Sequence, residues 1–534
     1  MKDERKWVSM SSCCPVCRNP GPVGLPLFWS GFVAGCPCTG GKGMRAPHRL
    51  IKGFFILLLI LGFYLQHNVG LADNGDFDRI MTWFTSGPVG IEPNWPAPDT
   101  QDWHRRFFNY WLPYWKLDFP GRADMKSSAL LLWLPGVWAN YHLVSPHTLY
   151  LSNLSLFPKF LLVLYLLLMF YWIDGSGLGE PGKIVLYLTL GIPLLMVFVN
   201  TDYVAYFNSF YCETASFIFL FIFLASLIFL KRKNTLPGYF SSITSLLLLS
   251  TAKASTFYWP FIAVPFIFSL RGFTRKPLPY IALLIFIIAI LCFLSVLVTL
   301  PPDYIRLNNY YNSLFYGVLT FSQDPTARLV ELGLPDSIKY VGHSAYTTAG
   351  KEALSLFENK MSPFNTLQVI LREPAIVFRI TKYLWDNMQV VSLEYLGKLP
   401  PDDPQLPGLK PSLLSLWSQL KINYFPRGYA LGLALLLYAA VSYYAIVRTS
   451  GICRELGIIG LVTAMGSLVD MYVAILGDGK WEIVKHLFLS NVLFDVSTIA
   501  SLNIIVAGGI KRILGPPCSR PNANRPGRVS YKRA

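Results

Sequence analysis

Ten stretches of nearly uninterrupted apolar sequence decide what this chain can fold into, because about 20 such residues suffice to carry a helix across the hydrocarbon core of a bilayer. They lie at 52–69, 155–173, 183–199, 214–230, 238–252, 255–270, 279–299, 428–447, 456–476 and 486–508. In lipid each backbone amide must find its partner within its own segment, so runs of this kind fold as helices. The expectation is an all-α polytopic membrane protein with about ten transmembrane helices. Composition agrees, with 53% hydrophobic and only 14% charged residues in 534. The net charge of +16 does not describe a nucleic-acid surface, since most Lys and Arg sit in short clusters at the ends of apolar runs. Membrane lipids are expected partners and nucleic acid is not.

Orientation follows from those clusters. The stretch 127–151 is apolar but broken by Pro135, Gly136, Asn140, His142 and Pro146. Counting it as a span would scatter the basic clusters over both faces. Leaving it as an interfacial or re-entrant helix puts Lys231–Lys233, Arg271–Lys276, Arg448–Glu455 and Lys511–Arg512 on the side of the basic N-terminus, as the positive-inside rule requires. Both termini are then cytoplasmic. The opposite face receives the first loop (70–155), a second loop (200–213), an insert (301–427) with turn signals and amphipathic helical stretches, and short turns at Lys253 and 477–486. The chain divides into an N-terminal extension, 1–43, read as disordered or a misassigned start; a transmembrane core with external loops, 44–300; a mostly helical external insert, 301–427; C-terminal transmembrane helices, 428–510; and a basic cytoplasmic tail, 511–534. Five of the nine cysteines fall in the extension, where Cys14/Cys17 and Cys36/Cys38 form a weak zinc-ligand pattern. No signal-peptide cleavage site follows the first apolar run.

Chemistry-bearing residues concentrate on the one face. Directly after the first span, "ADNGDFDR" places Asp73, Asp76 and Asp78 at its exit. Neighbouring carboxylates suit a general base or a divalent cation. The second loop, "VNTDYVAYFNSFYCETAS", offers Asp202, Asn208 and Glu213 among tyrosines, a mixture suited to sugar hydroxyls and rings. Lys253 in "LSTAKASTFYW" has no acidic neighbour in sequence, and Lys485 and His486 open the last span. Each could meet an anion or simply reach the interface. A metal set of Asp73, Asp76, Asp78 and Asp202 is conceivable. Nucleotide-binding loops, dinucleotide fingerprints, nucleophile elbows and zinc-protease motifs are absent from the sequence.

An acidic motif after the first span, a second one between the third and fourth spans and an external cap resemble the GT-C superfamily of membrane glycosyltransferases. More narrowly, "ADNGDFDR", "YFNSFYCE", "NNYYNSLFYGVL" and "GDGKWEIVKHLFLSNVLFD" resemble the bacterial WsfD-like glycan hexose transferases, from about Leu50 to Ile510. Cys212 stands where a small residue such as Gly is expected, and Lys485 where Arg is usual. The resemblance implies a bacterial inner-membrane enzyme that moves a hexose from a polyprenyl-phosphate donor to an envelope glycan or lipid acceptor. In that scheme Asp73 or Asp76, with Asp76 favoured, is the base. Asp202 or Glu213 orients the acceptor or completes a metal site, Lys253 with His486 neutralises the departing phosphate, and Asn208 and Lys485 are further substrate-binding residues. The scheme requires no cofactor, and a divalent cation such as Mg or Mn stays open. A glycan polymerase or ligase, or a flippase, is the alternative. A polymerase would call for paired external arginines and a flippase for midplane charges and repeats, and neither is evident.

Overall fold

A computed structural model describes residues 45–91, 100–119, 121, 125–269, 277–402 and 413–514. The extension 1–43 with its cysteines, and the tail from 515, lie outside the described residues. From Leu50 onward the chain forms one compact unit.

Helices occupy all ten apolar stretches, and among the described residues six are long and apolar enough to cross a membrane: Leu151–Asp174, Glu180–Phe198, Glu213–Lys233, Tyr429–Arg448, Ile452–Asp478 and Phe488–Ile513. A seventh would be Leu283–Thr299 and Asp303–Phe321 taken together, bent by 108°. Among the described residues six or seven membrane-capable helices thus stand against the ten expected. Leu236–Ser250 has 15 residues, about 22 Å at 1.5 Å per residue against a hydrocarbon core of about 30 Å. The helix Arg45–Tyr64 begins in basic residues and stops before the apolar text does. The Ala129–Leu143 helix is likewise 15 residues long and turns Leu131, Leu134 and Trp138 outward, which suits the expected interfacial placement.

Nor is the fold purely helical. The first loop contains a three-stranded antiparallel sheet, β1 (Thr85–Pro88), β2 (Tyr114–Leu117) and β3 (Thr148–Tyr150), with Thr85 opposite Leu117 and Trp115 opposite Leu149. Its strands are too short for an alternating pattern to be legible, and they pair across distant stretches of the loop. The sheet packs against the acidic motif and the second loop through Trp115, which meets Phe77 at 5.9 Å. Trp115 packs edge-on against Phe210 at 5.5 Å, and Phe77 meets Tyr211 at 4.9 Å.

Two apolar clusters hold the unit together. One joins the first loop to the helices from Leu156 to Ser269. The other packs Tyr311, Phe315, Ile376, Ile380 and Leu384 of the insert against Leu431, Met471 and Ile475. The insert is mostly helical, as expected, but it shares its core with the C-terminal helices. Its segment 397–399 also pairs by backbone with the first loop: Gly70 N donates to Lys398 O, Ala72 N to Gly397 O and Trp111 N to Leu399 O.

The two ends of the bundle differ in chemistry. At one end Lys52 bridges to Asp174, and Arg232 grips Glu455 with two hydrogen bonds of 3.0 Å. At the other the first loop, the second loop, the Lys253 turn, the insert and the 477–486 turn come together. This is the clustering of segments that the charge pattern implied.

Candidate functional site

The helix Arg45–Tyr64 delivers the acidic motif to that second end, and a tight turn fixes it. Asp73 Oδ1 accepts from the amides of Gly75 (2.7 Å) and Phe77 (3.3 Å), Asn74 Oδ1 accepts from Asp76 N (3.1 Å), and Gly75 supplies the positive φ of 100° the turn needs. The three carboxylates thereby part company. Asp73 points inward, is 2% exposed, and faces Arg106 Nε at 3.8 Å. Burial pushes its carboxyl up to about 7, opposed by Arg106. Asp78 lies 3.5 Å from Arg106 Nη2. Asp76 alone faces the cluster.

Around Asp76 stand Arg79, 3.0 Å from Oδ1, and Lys485, 2.6 Å from Oδ2. Burial alone would raise the Asp76 carboxyl, but Arg79, Lys485 and Lys253 hold it well below the usual carboxylate range. Lys485 also bridges to Glu482, which accepts from Asn74 Nδ2 at 2.8 and 2.6 Å. Burial opposes the Lys485 charge, yet Asp76 and Glu482 outweigh it and hold the ammonium well above the usual lysine range. The Tyr211 hydroxyl locks the motif from beneath, near Ala72 O (2.8 Å) and Asn74 Oδ1 (3.0 Å). A small cleft opens beside this group, lined by Arg79, Lys126, Ser127, Cys212, Lys253 and Thr299. Its wall thus carries three cations, an arrangement that favours an anion.

The remaining expected residues divide into those the fold brings to this group and those it does not. Lys253, without an acidic neighbour in sequence, pairs with Glu213 at 2.6 Å. Lys253 lines the cleft and Glu213 backs it, so both residues lie in the group. His486 Nε2 faces Asp478 Oδ2 at 3.4 Å, beside the cluster but turned from Asp76. Asp202 is buried against Lys398 at 2.8 Å, where it ties the second loop to the insert. Asn208 is fully buried. It accepts from Lys159 Nζ (2.8 Å), donates to Gln66 O (3.1 Å), and its carbonyl receives Trp111 Nε1 (2.8 Å). Its polar atoms are thus spent on the loop, and it does not face the cluster. The conceivable metal set does not assemble either. Among the described residues no three His, Cys, Asp or Glu side chains converge to hold an ion, and Asp73, Asp76 and Asp202 each face a cationic side chain instead.

Sequence reading gave no site role to Arg79, Glu482, Asn74 or Tyr395, the last of which hydrogen-bonds Glu482. The first three stand inside the two strings already singled out, four residues or fewer from an expected site residue. Tyr395 and Lys398 carried no local signal.

Fold and site define a multi-pass helical membrane protein with a buried charged cluster at one end of its bundle. A family model described as the YfdI N-terminal transmembrane domain matches residues 47–513, and the chain belongs to that family. No curated protein and no solved structure matches the chain.

Proposed function

We propose that this protein is a membrane glycosyltransferase of the GT-C type, resembling the WsfD-like hexose transferases, which transfers a hexose from a polyprenyl-phosphate donor to an envelope glycan or lipid acceptor outside the inner membrane. The observation that carries the reading is Asp76. It is a carboxylate kept ionised by Arg79 and Lys485 at the rim of a cleft whose wall holds Arg79, Lys126 and Lys253.

The steps follow from that arrangement. The donor's phosphate seats against the three cations, which stabilise the charge that grows on it as the bond between the anomeric carbon and the phosphate oxygen breaks. The bonding pair leaves with the phosphate. An acceptor hydroxyl oxygen forms the new bond to the anomeric carbon, and its proton passes to an Asp76 carboxylate oxygen. A carboxylate held so acidic is a weak base toward a free hydroxyl. It suits a late proton transfer, from a hydroxyl made acidic by bonding to the electron-poor anomeric carbon. Glu213 sets the position of Lys253, and Glu482 that of Lys485. With the cluster outside, the Lys52–Asp174 and Arg232–Glu455 end is cytoplasmic, in line with the positive-inside rule.

The test uses the purified protein in nanodiscs with radiolabelled polyprenyl-phosphate hexoses and cell-envelope glycan. Label should move to the glycan with release of polyprenyl phosphate. Label that crosses a sealed vesicle membrane without a new glycosidic bond would instead make the protein a transporter. A cysteine placed at exposed Lys116 should react with an impermeant thiol reagent on whole cells; protection there contradicts the orientation.

A further inference from the structure

Two aromatic rings from distant parts of the chain meet beside the charged cluster. Tyr346 comes from the insert and Trp481 from the turn after the Ile452–Asp478 helix. Their centroids are 4.8 Å apart with the planes inclined by 42°. One buried side chain aligns the two loops. Asn312, at the start of the π-helical turn Asn312–Gly317, donates to Asp478 Oδ1 and accepts from Ala345 N, both at 2.7 Å. It therefore holds the residue before Tyr346 and the root of the Trp481 turn at once. Gly479 has φ +61°, and a Cβ there would come within 2.2 Å of the Asn312 carbonyl oxygen, so this junction closes only on glycine. π-Helical turns are rare and concentrate at functional sites.

A pair of rings serving only as core would be covered. Tyr346 is instead 43% exposed and Trp481 half-buried. The phenol end of Tyr346 nevertheless reaches the cluster. Burial pushes the Tyr346 hydroxyl well above the usual phenol range, Asp478 and Asp76 push it the same way, and Arg79 and Lys485 oppose them. Lys253 also acts on Asp76. Trp481 directly precedes Glu482, which bridges to Lys485 and through it to Asp76, while Arg79, 3.0 Å from Asp76, lines the anion cleft.

We propose that Tyr346 and Trp481 form a sugar-stacking subsite that holds a pyranose ring of the acceptor, with Asn312 as its positioning residue. The subsite rests on the transferase reading above. A pyranose has a C–H face that packs on the electron-rich face of an aromatic ring and a rim of hydroxyls that needs polar partners. The rings supply the first, and Asp478 with His486, 3.4 Å apart beside them, supply the second. The cations of the cleft answer to the donor's phosphate, so the ring pair is left for the partner that brings the hydroxyl to Asp76.

Saturation-transfer NMR on the protein in nanodiscs, with methyl glucoside, methyl mannoside and methyl galactoside as probes, tests this directly. At least one glycoside should receive saturation from wild type and from Asp76→Asn. The signal should fall about tenfold in Trp481→Ala and Tyr346→Ala, and return in Trp481→Phe and Tyr346→Phe. In the transfer assay Trp481→Ala should raise the acceptor KM about tenfold and leave the donor KM unchanged. If wild type transfers sugar but the alanine variants keep the acceptor KM, or bind glycoside as wild type does, the subsite is refuted while the transferase reading stands. Ring-dependent glycoside binding without any transfer would refute the transferase reading and uphold the subsite. Silence of every glycoside with wild type refutes the subsite whatever the transfer result.

Discussion

Asp76→Asn is the perturbation that separates chemistry from architecture. Asparagine keeps the shape of the side chain and an oxygen for Arg79, which lies 3.0 Å from the present carboxylate and is 24% exposed. Lys485 keeps Glu482 as its partner. The Arg79 contact is partly solvated and accounts for about 1 kcal/mol or less, but Lys485 is only 2% exposed, so losing one of its two carboxylates brings the total to about 1–3 kcal/mol. The loss of rate is expected to be larger. Positioned proton acceptors contribute about 10²- to 10⁴-fold, or roughly 2.7 to 5.4 kcal/mol of barrier at 1.36 kcal/mol per tenfold. Initial rates of transfer, measured well below the melting midpoint of each protein in detergent, give the answer. A folded Asp76→Asn protein within about threefold of wild-type kcat/KM would refute the assignment of Asp76 as the base, and with it the division of labour between Asp76 and Asp73.

Two further perturbations examine the scaffold. Asp73→Asn should gain stability over wild type as pH rises from the ordinary carboxylate range to about 7, with no further gain above. The folded-state value is raised to about 7 from 3.8, so over that interval the unfolded chain has released a proton the folded one still holds, and wild-type stability falls with pH. Melting curves of both proteins from pH 4 to 8 check the sign, and a difference that stays constant or shrinks overturns it. Lys421 and Asp495 form a fully buried pair at 2.8 Å, with the Tyr203 hydroxyl 2.6 Å and Trp417 Nε1 2.9 Å from Asp495 Oδ2. Lys421→Met alone should cost about 3–5 kcal/mol by stranding the carboxylate, while Lys421→Met with Asp495→Leu should recover most of that. Additive losses in the double variant, read from denaturation midpoints, would show that the pair is not the coupled unit the geometry describes.

The parts of this molecule that were legible in its sequence are those governed by local rules. Apolar length gave the helices, and basic clusters at helix ends gave the sorting of segments to the two ends of the bundle. The ten apolar stretches outnumber the six or seven membrane-capable helices because some of them fold as helices too short to cross, as at Leu236–Ser250 and Trp259–Ser269, and apolar composition does not measure helix length. The sheet escaped because its strands are three or four residues long and are paired by the closure of a loop. Within the cluster, Asp76, Lys485, Glu213 and Lys253 were accessible because an ionisable residue at a helix end raises the question of its partner.

The identity of those partners is a different matter. Lys253 meets Glu213 across 40 residues and Asp76 meets Lys485 across 409, distances over which no local pattern operates. The same limit separates Asp73 from Asp76. Two aspartates three positions apart look interchangeable in sequence, and only the Asp73-capped turn sends one to Arg106 in the interior and the other to the cleft. A buried charge announces that a counter-charge exists. The fold decides which one, and a residue such as Asn208, whose composition suited a sugar, is instead consumed in making that fold.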